Sequence, residues 1–306
     1  VHVSYHPDYV IPLPEGHAFP MRKYPLLRER LLAEGLLFED ELHEPCEAEW
    51  DTVALAHDAS YLDKLRNGTL SEAEQRRIGM PWSPALVRRA RLAVQGTIDA
   101  ALAALDSPER MAANLAGGTH HALPDAGEGY CTLNDVAIAT RWLQREGFVS
   151  RVLVCDLDVH HGNGTAQIFA GDERVFTFSM HGAKNFPMKK PPSSLDVPLA
   201  DGVGDAEYLA LLREHLPEAI AAARPELVFF LGGVDVVAGD RFGRLALTEG
   251  GLAARDSLVI ETVAGMAIPL CLVLSGGYAR TADRTAELHA SAHREARRWL
   301  RARGFR

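Results

Sequence analysis

Apolar residues in this chain fall into two spacings. Unbroken runs at Val152 to Cys155, Val175 to Met180, Leu227 to Leu231 and Leu270 to Leu274 each stop at polar or glycine-rich residues. Short runs that are apolar on both faces predict strands buried inside a sheet. Between them, apolar positions three and four residues apart predict helices over Pro84 to Leu105, Asp135 to Glu146, Ala206 to Ala223 and Glu249 to Gly265. Ser83 ahead of Pro84 marks a helix start, and Asp205 and Thr248 are the expected N-caps of the third and fourth helices. Strands alternating with helices predict an α/β fold in three layers, with a central, mainly parallel sheet flanked by helices. In such sheets ligands bind at the carboxyl ends of the strands, where these polar terminators fall.

The segments outside this alternation carry their own expectations. Ala183 to Gly204 holds four prolines and reads as a long functional loop. Asn67 to Pro84 reads as a surface connection between two helices, and Arg280 to Arg303 as an exposed helix whose arginines form a solvated face. No repeat or linker divides the chain, so residues 1 to 306 are expected to form a single catalytic domain.

Composition narrows the class. Apolar residues make up 47% and charged residues 24%, enough material for a buried sheet. A formal charge of -9 argues against a nonspecific nucleic-acid partner and is compatible with basic substrates. Cys46, Cys131, Cys155 and Cys271 are scattered without a C-x-x-C pair, which argues against a zinc ribbon or a disulfide framework and for a reducing compartment. No apolar segment is long enough to span a bilayer and the start lacks a secretory pattern, so a soluble, cytoplasmic protein is expected; the numbering opens at Val1, not methionine.

Chemistry concentrates at four glycine-marked strand ends. After Val152 to Cys155 the chain reads Asp156-Leu157-Asp158-Val159-His160-His161-Gly162-Asn163-Gly164. In extended backbone Asp156, Asp158 and His160 share a face, and two oxygens with an imidazole suit a divalent cation. The other three ends are Gly117-Gly118-Thr119-His120-His121-Ala122, Gly232-Gly233-Val234-Asp235 and Ser275-Gly276-Gly277-Tyr278. Singly, each has an ordinary explanation as a turn, a cap or a packed ring. Together they place ionisable groups on one edge of the sheet, which structural accident rarely does.

These segments, with Gly129-Tyr130-Cys131-Thr132-Leu133-Asn134-Asp135 and Ala238-Gly239-Asp240 in the same order, resemble the metal-dependent histone deacetylase family of the arginase-deacetylase superfamily. Tyr5-His6-Pro7-Asp8-Tyr9 and His181 to Pro187 resemble its class IV-type bacterial branch most. The resemblance implies Zn2+ held by Asp158, His160 and Asp235, with Fe2+ or Co2+ as alternatives that an oxygen-rich set accepts. It implies His120 and His121 as the tandem catalytic histidines, with His121 the principal base, Asp156 orienting His120, and Asn163 in place of an acid beside His121. An amide lends no charge, so His121 is expected to be the less basic of the pair. Tyr278 corresponds to the phenol that stabilises the oxyanion. Tyr130, Phe186, Gly129 and Gly277 correspond to the walls of an acyl-lysine tunnel. Asp156, Asp158, His160, Ser179 and Met180 correspond to a potassium site.

The implied function is hydrolysis of an acyl group, acetyl or longer, from acyl-lysine, a peptide or a related small acylated amine. An acylpolyamine amidohydrolase and a noncatalytic acyl-lysine binding protein are the alternatives; a two-metal ureohydrolase would need a denser set of aspartates. The family's rim aspartate has no counterpart in Asn67 to Pro84. His17, His57, His181 and Trp82 read as structural or loop residues, with His17 and Trp82 also placed where a tunnel mouth would lie. The acyl length, the amine and the oligomeric state are not specified by these residues.

Overall fold

A computed structural model describes residues 1–306. Its strands are β1 (Val3–Ser4), β2 (Leu42–His43), β3 (Met111–Asn114), β4 (Val152–Asp156), β5 (Val175–Gly182), β6 (Leu195–Leu199), β7 (Leu227–Leu231) and β8 (Leu270–Val273). They form one sheet in the order β2-β1-β3-β8-β7-β4-β5-β6, and every pairing is parallel. The helices are α1 (Lys23–Ala33), α2 (Trp50–Val53), α3 (Ala59–Asn67), α4 (Glu72–Ile78), α5 (Pro84–Asp106), α6 (Asp135–Arg145), α7 (Asn163–Ile168), α8 (Asp205–Ala223), α9 (Glu249–Gly265) and α10 (Ala282–Arg301). None is long and apolar enough to cross a membrane.

The central strands β3, β4, β7 and β8 are buried at every position, as a parallel sheet covered on both faces requires. The helices α8, α9, α10 and α1 pack in series, and α5 packs on α6 and on β3 and β8. Ser83 caps α5 and Thr248 caps α9, their hydroxyls accepting Leu86 N at 3.1 Å and Gly251 N at 3.0 Å.

Four expectations need correction. Asp205 is not an N-cap: Gly204 holds that position, and the Asp205 carboxylate instead accepts the Thr248 N–H at 2.8 Å and hydroxyl at 2.6 Å, joining α8 to the start of α9. The loop Ala183 to Gly204 contains the edge strand β6, where Pro198 is tolerated because one side of the strand is unpaired. The connection Asn67 to Pro84 contains α4, opened by a Ser71–Glu74 capping box. The last helix is not an exposed one: α10 buries Leu288, His289, Arg297 and Leu300 between α1 and α9.

Candidate active site

Four neighbouring strands, β3, β8, β7 and β4, deliver the polar residues. His120 and His121 follow β3, Tyr278 follows β8, Asp235 follows β7, and Asp158 and His160 follow β4. Their side chains meet because adjacent parallel strands end at the same edge.

Asp158, His160 and Asp235 bring one ligand atom each to within 4.8 Å of one another, all three residues buried. His160 Nδ1 lies 3.0 Å from Asp158 Oδ1 and 3.2 Å from Asp235 Oδ2. The outer atoms of the carboxylates are fixed by the chain itself: Asp158 Oδ2 accepts Ser275 Oγ–H at 2.8 Å and Gly276 N–H at 2.6 Å, and Asp235 Oδ1 accepts Val159 N–H at 3.0 Å. Asp235 Oδ2 is buried and has no hydrogen-bond donor. Burial, and then the Asp158 charge, push the Asp235 carboxyl up to about 7. Two buried carboxylates facing one imidazole and one orphaned oxygen are the donor set a divalent cation satisfies. Residue 276 must be glycine here, since a Cβ would stand 2.6 Å from Asp158 Oδ2.

The paired histidines differ in what holds them. His120 Nδ1 is 2.6 Å from Asp156 Oδ2; burial opposes its charge, but the Asp156 carboxylate, and then Asp158, raise it to about 9. His121 Nδ1 is 2.6 Å from Asn163 Oδ1, and burial followed by the charges of His120 and His160 holds it well below the usual imidazole range. The Asn163 amide N–H donates to Glu128 Oε2 at 2.8 Å. A carboxylate only accepts, so the amide oxygen must face His121, Nδ1 must carry the proton, and Nε2 is left with the lone pair.

A cavity of about 630 Å³ runs from the surface to His121, His160 and Tyr278, with Gly129, Tyr130, Phe186 and Phe242 along its walls. Behind it, a cavity of about 30 Å³ lies among Phe19, Tyr24, Arg89, His120, His121 and Tyr278. Burial, and then the Asp235 and Asp158 charges, push the Tyr278 phenol well above 10, so it stays a donor. Asp240 Oδ2 accepts the Tyr278 N–H at 2.7 Å and anchors that residue's backbone.

Comparison with known proteins agrees with this geometry. Residues 17–293 match the model of the histone deacetylase domain. The chain belongs to the histone deacetylase domain family. It is 46% identical over 295 residues to an uncharacterized protein of Picosynechococcus sp., spanning 96% of this chain and 98% of that one. It is 31% identical over 285 residues to a probable deacetylase of Archaeoglobus fulgidus, spanning 83% and 76% of the two chains. The crystal structure of the HDA15 HD domain superposes with a TM-score of 0.81 at 20% identity, over 99% of this chain and 92% of that one, and this likeness concerns the fold.

Within this histone deacetylase-family chain, the other expected residues are placed as follows. Gly277 does not line the cavity; its Cα faces Val234 and His289 behind Tyr278. Asp156 lies opposite Ser179 in the β4–β5 register, next to Met180, and the Ser179 hydroxyl is 3.0 Å from His181 Nδ1. His181 also meets His161, which is 3.1 Å from both Asp196 and Ser193, a group outside the cavity whose histidines are buried and whose carboxylate is partly exposed. His57 is structural, with Nδ1 2.8 Å from Leu123 O and Nε2 accepting Asn134 N–H at 2.9 Å. His17 stands beside Tyr130 with Nε2 2.9 Å from Gly79 O, whereas Trp82 bonds Leu65 O away from the cavity.

Sequence reasoning missed Glu128 and Asp135. Asp135 accepts Gly118 N–H at 3.1 Å, Thr119 N–H at 2.8 Å and the Thr97 hydroxyl at 2.6 Å, so the first residue of α6 holds the turn that presents the histidines. It is free to do so because Asn134 caps that helix. For Glu128 the only signal was its position beside Gly129 and Tyr130.

Proposed function

We propose that this chain is a zinc-dependent amidohydrolase of the class IV-type branch that removes an acetyl group from an acylated lysine or related amine. The observation that carries the reading is the meeting of Asp158, His160 and Asp235 with His121 and Tyr278 at the end of one cavity. Asp158, His160 and Asp235 would hold a dication, which when bound would supply Lewis-acid polarisation and a more acidic water. Fe2+ or Co2+ also suits two carboxylates and an imidazole.

The chain's own groups account for the proton and the developing charge. His121 Nε2, freed by the Asn163 bond to Nδ1, accepts the proton of the attacking water as the C–O bond forms. Tyr278 donates its hydroxyl to the carbonyl oxygen and holds it more strongly as it becomes an oxyanion. His121 returns the proton to the amine nitrogen as the C–N bond breaks. His120, held by the Asp156 carboxylate at 2.6 Å, stands beside His121 and supports the proton balance of the pair. The inner cavity is small, about 30 Å³, which favours acetyl over long acyl chains. A potassium ion among Asp156, Asp158, His160, Ser179 and Met180 belongs to the same reading, as do a single catalytic domain over residues 1–306 and a reducing, cytoplasmic setting suggested by four unpaired cysteines.

The test is hydrolysis of a panel varying acyl length and amine by zinc-loaded protein, with metal content measured. Acetyl-lysine should be cleaved and His121→Ala should abolish turnover. Equal rates for His121→Ala and wild type would sink the mechanism.

A further inference from the structure

The outer wall of the 630 Å³ cavity is basic. Arg76 and Arg77 from the end of α4, Lys184 from the loop after β5 and Arg244 from the loop after β7 line it, against the single carboxylate of Glu128. The chain as a whole carries -9, so this opening is opposite in sign to the rest of the molecule. Nearby acids only partly offset it. Arg77 meets Glu128 at 3.1 Å, but the other oxygen of Glu128 is taken by Asn163. Arg76 meets Glu72 at 3.2 Å, where both side chains are more than 70% exposed and water weakens the pair. Lys184 and Arg244 share one carboxylate, Asp201, at 3.9 and 3.3 Å. Lys190, in the same loop as Lys184, spends its ammonium on the carbonyls of Ala183, Asn185 and Pro187 and adds charge without a carboxylate contact.

These cations and the reacting groups His121 and Tyr278 line the same cavity. A substrate whose acyl group reaches Tyr278 must therefore lay the rest of itself along the basic wall. We infer that the mouth selects acyl-lysine in an acidic peptide segment, with glutamate or aspartate beside the lysine, and disfavours acylated polyamines. The inference rests on the deacylase reading for the chemistry, while the charge of the wall stands on its own. An acidic flank finds guanidinium groups whose present partners are shared or solvated; a polyamine brings further positive charge to a wall that is already positive.

The experiment uses three fluorescent peptides that differ only in having glutamate, alanine or lysine on both sides of one ε-acetyl-lysine, together with acetylspermidine, and zinc-loaded full chain. Binding is read by anisotropy and competition, and hydrolysis by amine release. The glutamate peptide should bind about tenfold tighter than the lysine peptide at low salt. The gap should shrink at about 0.5 M salt, where the screening length is roughly 4 Å. The charge reversal Arg76→Glu with Arg244→Glu should invert the order, an outcome that misfolding cannot produce. Equal binding, tighter binding of the lysine peptide or of acetylspermidine, or an order unmoved by the double reversal would overturn the inference. Ordered binding without hydrolysis of any peptide defeats the deacylase reading and leaves the wall's selectivity standing; hydrolysis of all three at one rate with equal binding does the reverse.

Discussion

Asn163 and Glu128 are joined by one hydrogen bond, Nδ2 to Oε2 at 2.8 Å, and that bond decides which way the amide faces. Removing the acceptor frees the amide to turn its N–H toward His121, which would place the imidazole proton on the wrong nitrogen. Glu128→Ala should therefore lower kcat by about tenfold or more with little change in KM. Glu128→Gln, which can still accept from Asn163, should retain more activity. Steady-state kinetics on an acetyl-lysine substrate distinguishes the two, and identical rates for both variants and wild type would remove Glu128 from the account.

Tyr278→Phe deletes the oxyanion donor while keeping the ring packed against Phe242 at 4.9 Å and Phe19 at 6.2 Å. A fall in kcat of about 10²- to 10³-fold is expected, with an unchanged melting temperature. Activity within a few-fold of wild type would show that the phenol does not meet the developing charge.

Withdrawal of the metal should be visible without any substrate. Asp158 and Asp235 then face each other across His160 with no cation, and the ligand-linked stabilisation is lost. Chelator dialysis should lower Tm by on the order of 5 to 10 °C, restored by adding zinc. Scanning calorimetry of the two forms checks this, and coincident transitions would count against a resident ion.

The Asp135 carboxylate satisfies backbone and hydroxyl donors of the turn at Gly118 and Thr119. Asp135→Ala strands these buried groups and should cost about 3 kcal/mol or more. Urea unfolding measures the loss. A cost below about 1 kcal/mol would mean that the turn holds itself.

Acid should weaken the fold through His57. Burial lowers its pKa to about 4, whereas the same imidazole in an unfolded chain titrates near 6.5. Between those values the unfolded chain binds a proton that the folded one refuses. The contribution is thus complete above about pH 6.5 and is lost as pH falls toward 4, on the order of 3 kcal/mol. Urea midpoints across this range should fall with pH, and less steeply in His57→Gln; parallel slopes would exclude His57 as a source.

The legible parts of the sequence were those where one physical signal dominates. Val152 to Cys155 and Leu227 to Leu231 read as buried strands because an unbroken apolar run has few other homes, and Ser83 and Thr248 announced helix starts. Other elements lacked such a signal. At two residues each, β1 and β2 are too short to have a period, and β6 hides in a proline-bearing loop. The arginines of α10 looked like a solvated face, yet Arg297 is buried and paired with Glu41 at 2.6 Å. At the site, Asp158, His160 and Asp235 were spelled out by residue type after strand ends. Glu128 and the basic wall were not, because their meaning lies in partners distant in sequence: Asn163 stands 35 residues from Glu128, and Asp201 stands 43 from Arg244.

The four groups of reacting residues ride on the ends of β3, β8, β7 and β4, while most of the basic wall, Arg76, Arg77 and Lys184, rides on α4 and the loop after β5, which contribute nothing to the ligand set; Arg244 alone shares its loop with a ligand, Asp235. Reactivity and taste are thus inherited on mostly separate pieces of chain. Helix α4 and the loop around residue 184 can be recoded to redirect the protein to a new client, and the metal ligands beneath would be carried along unaltered.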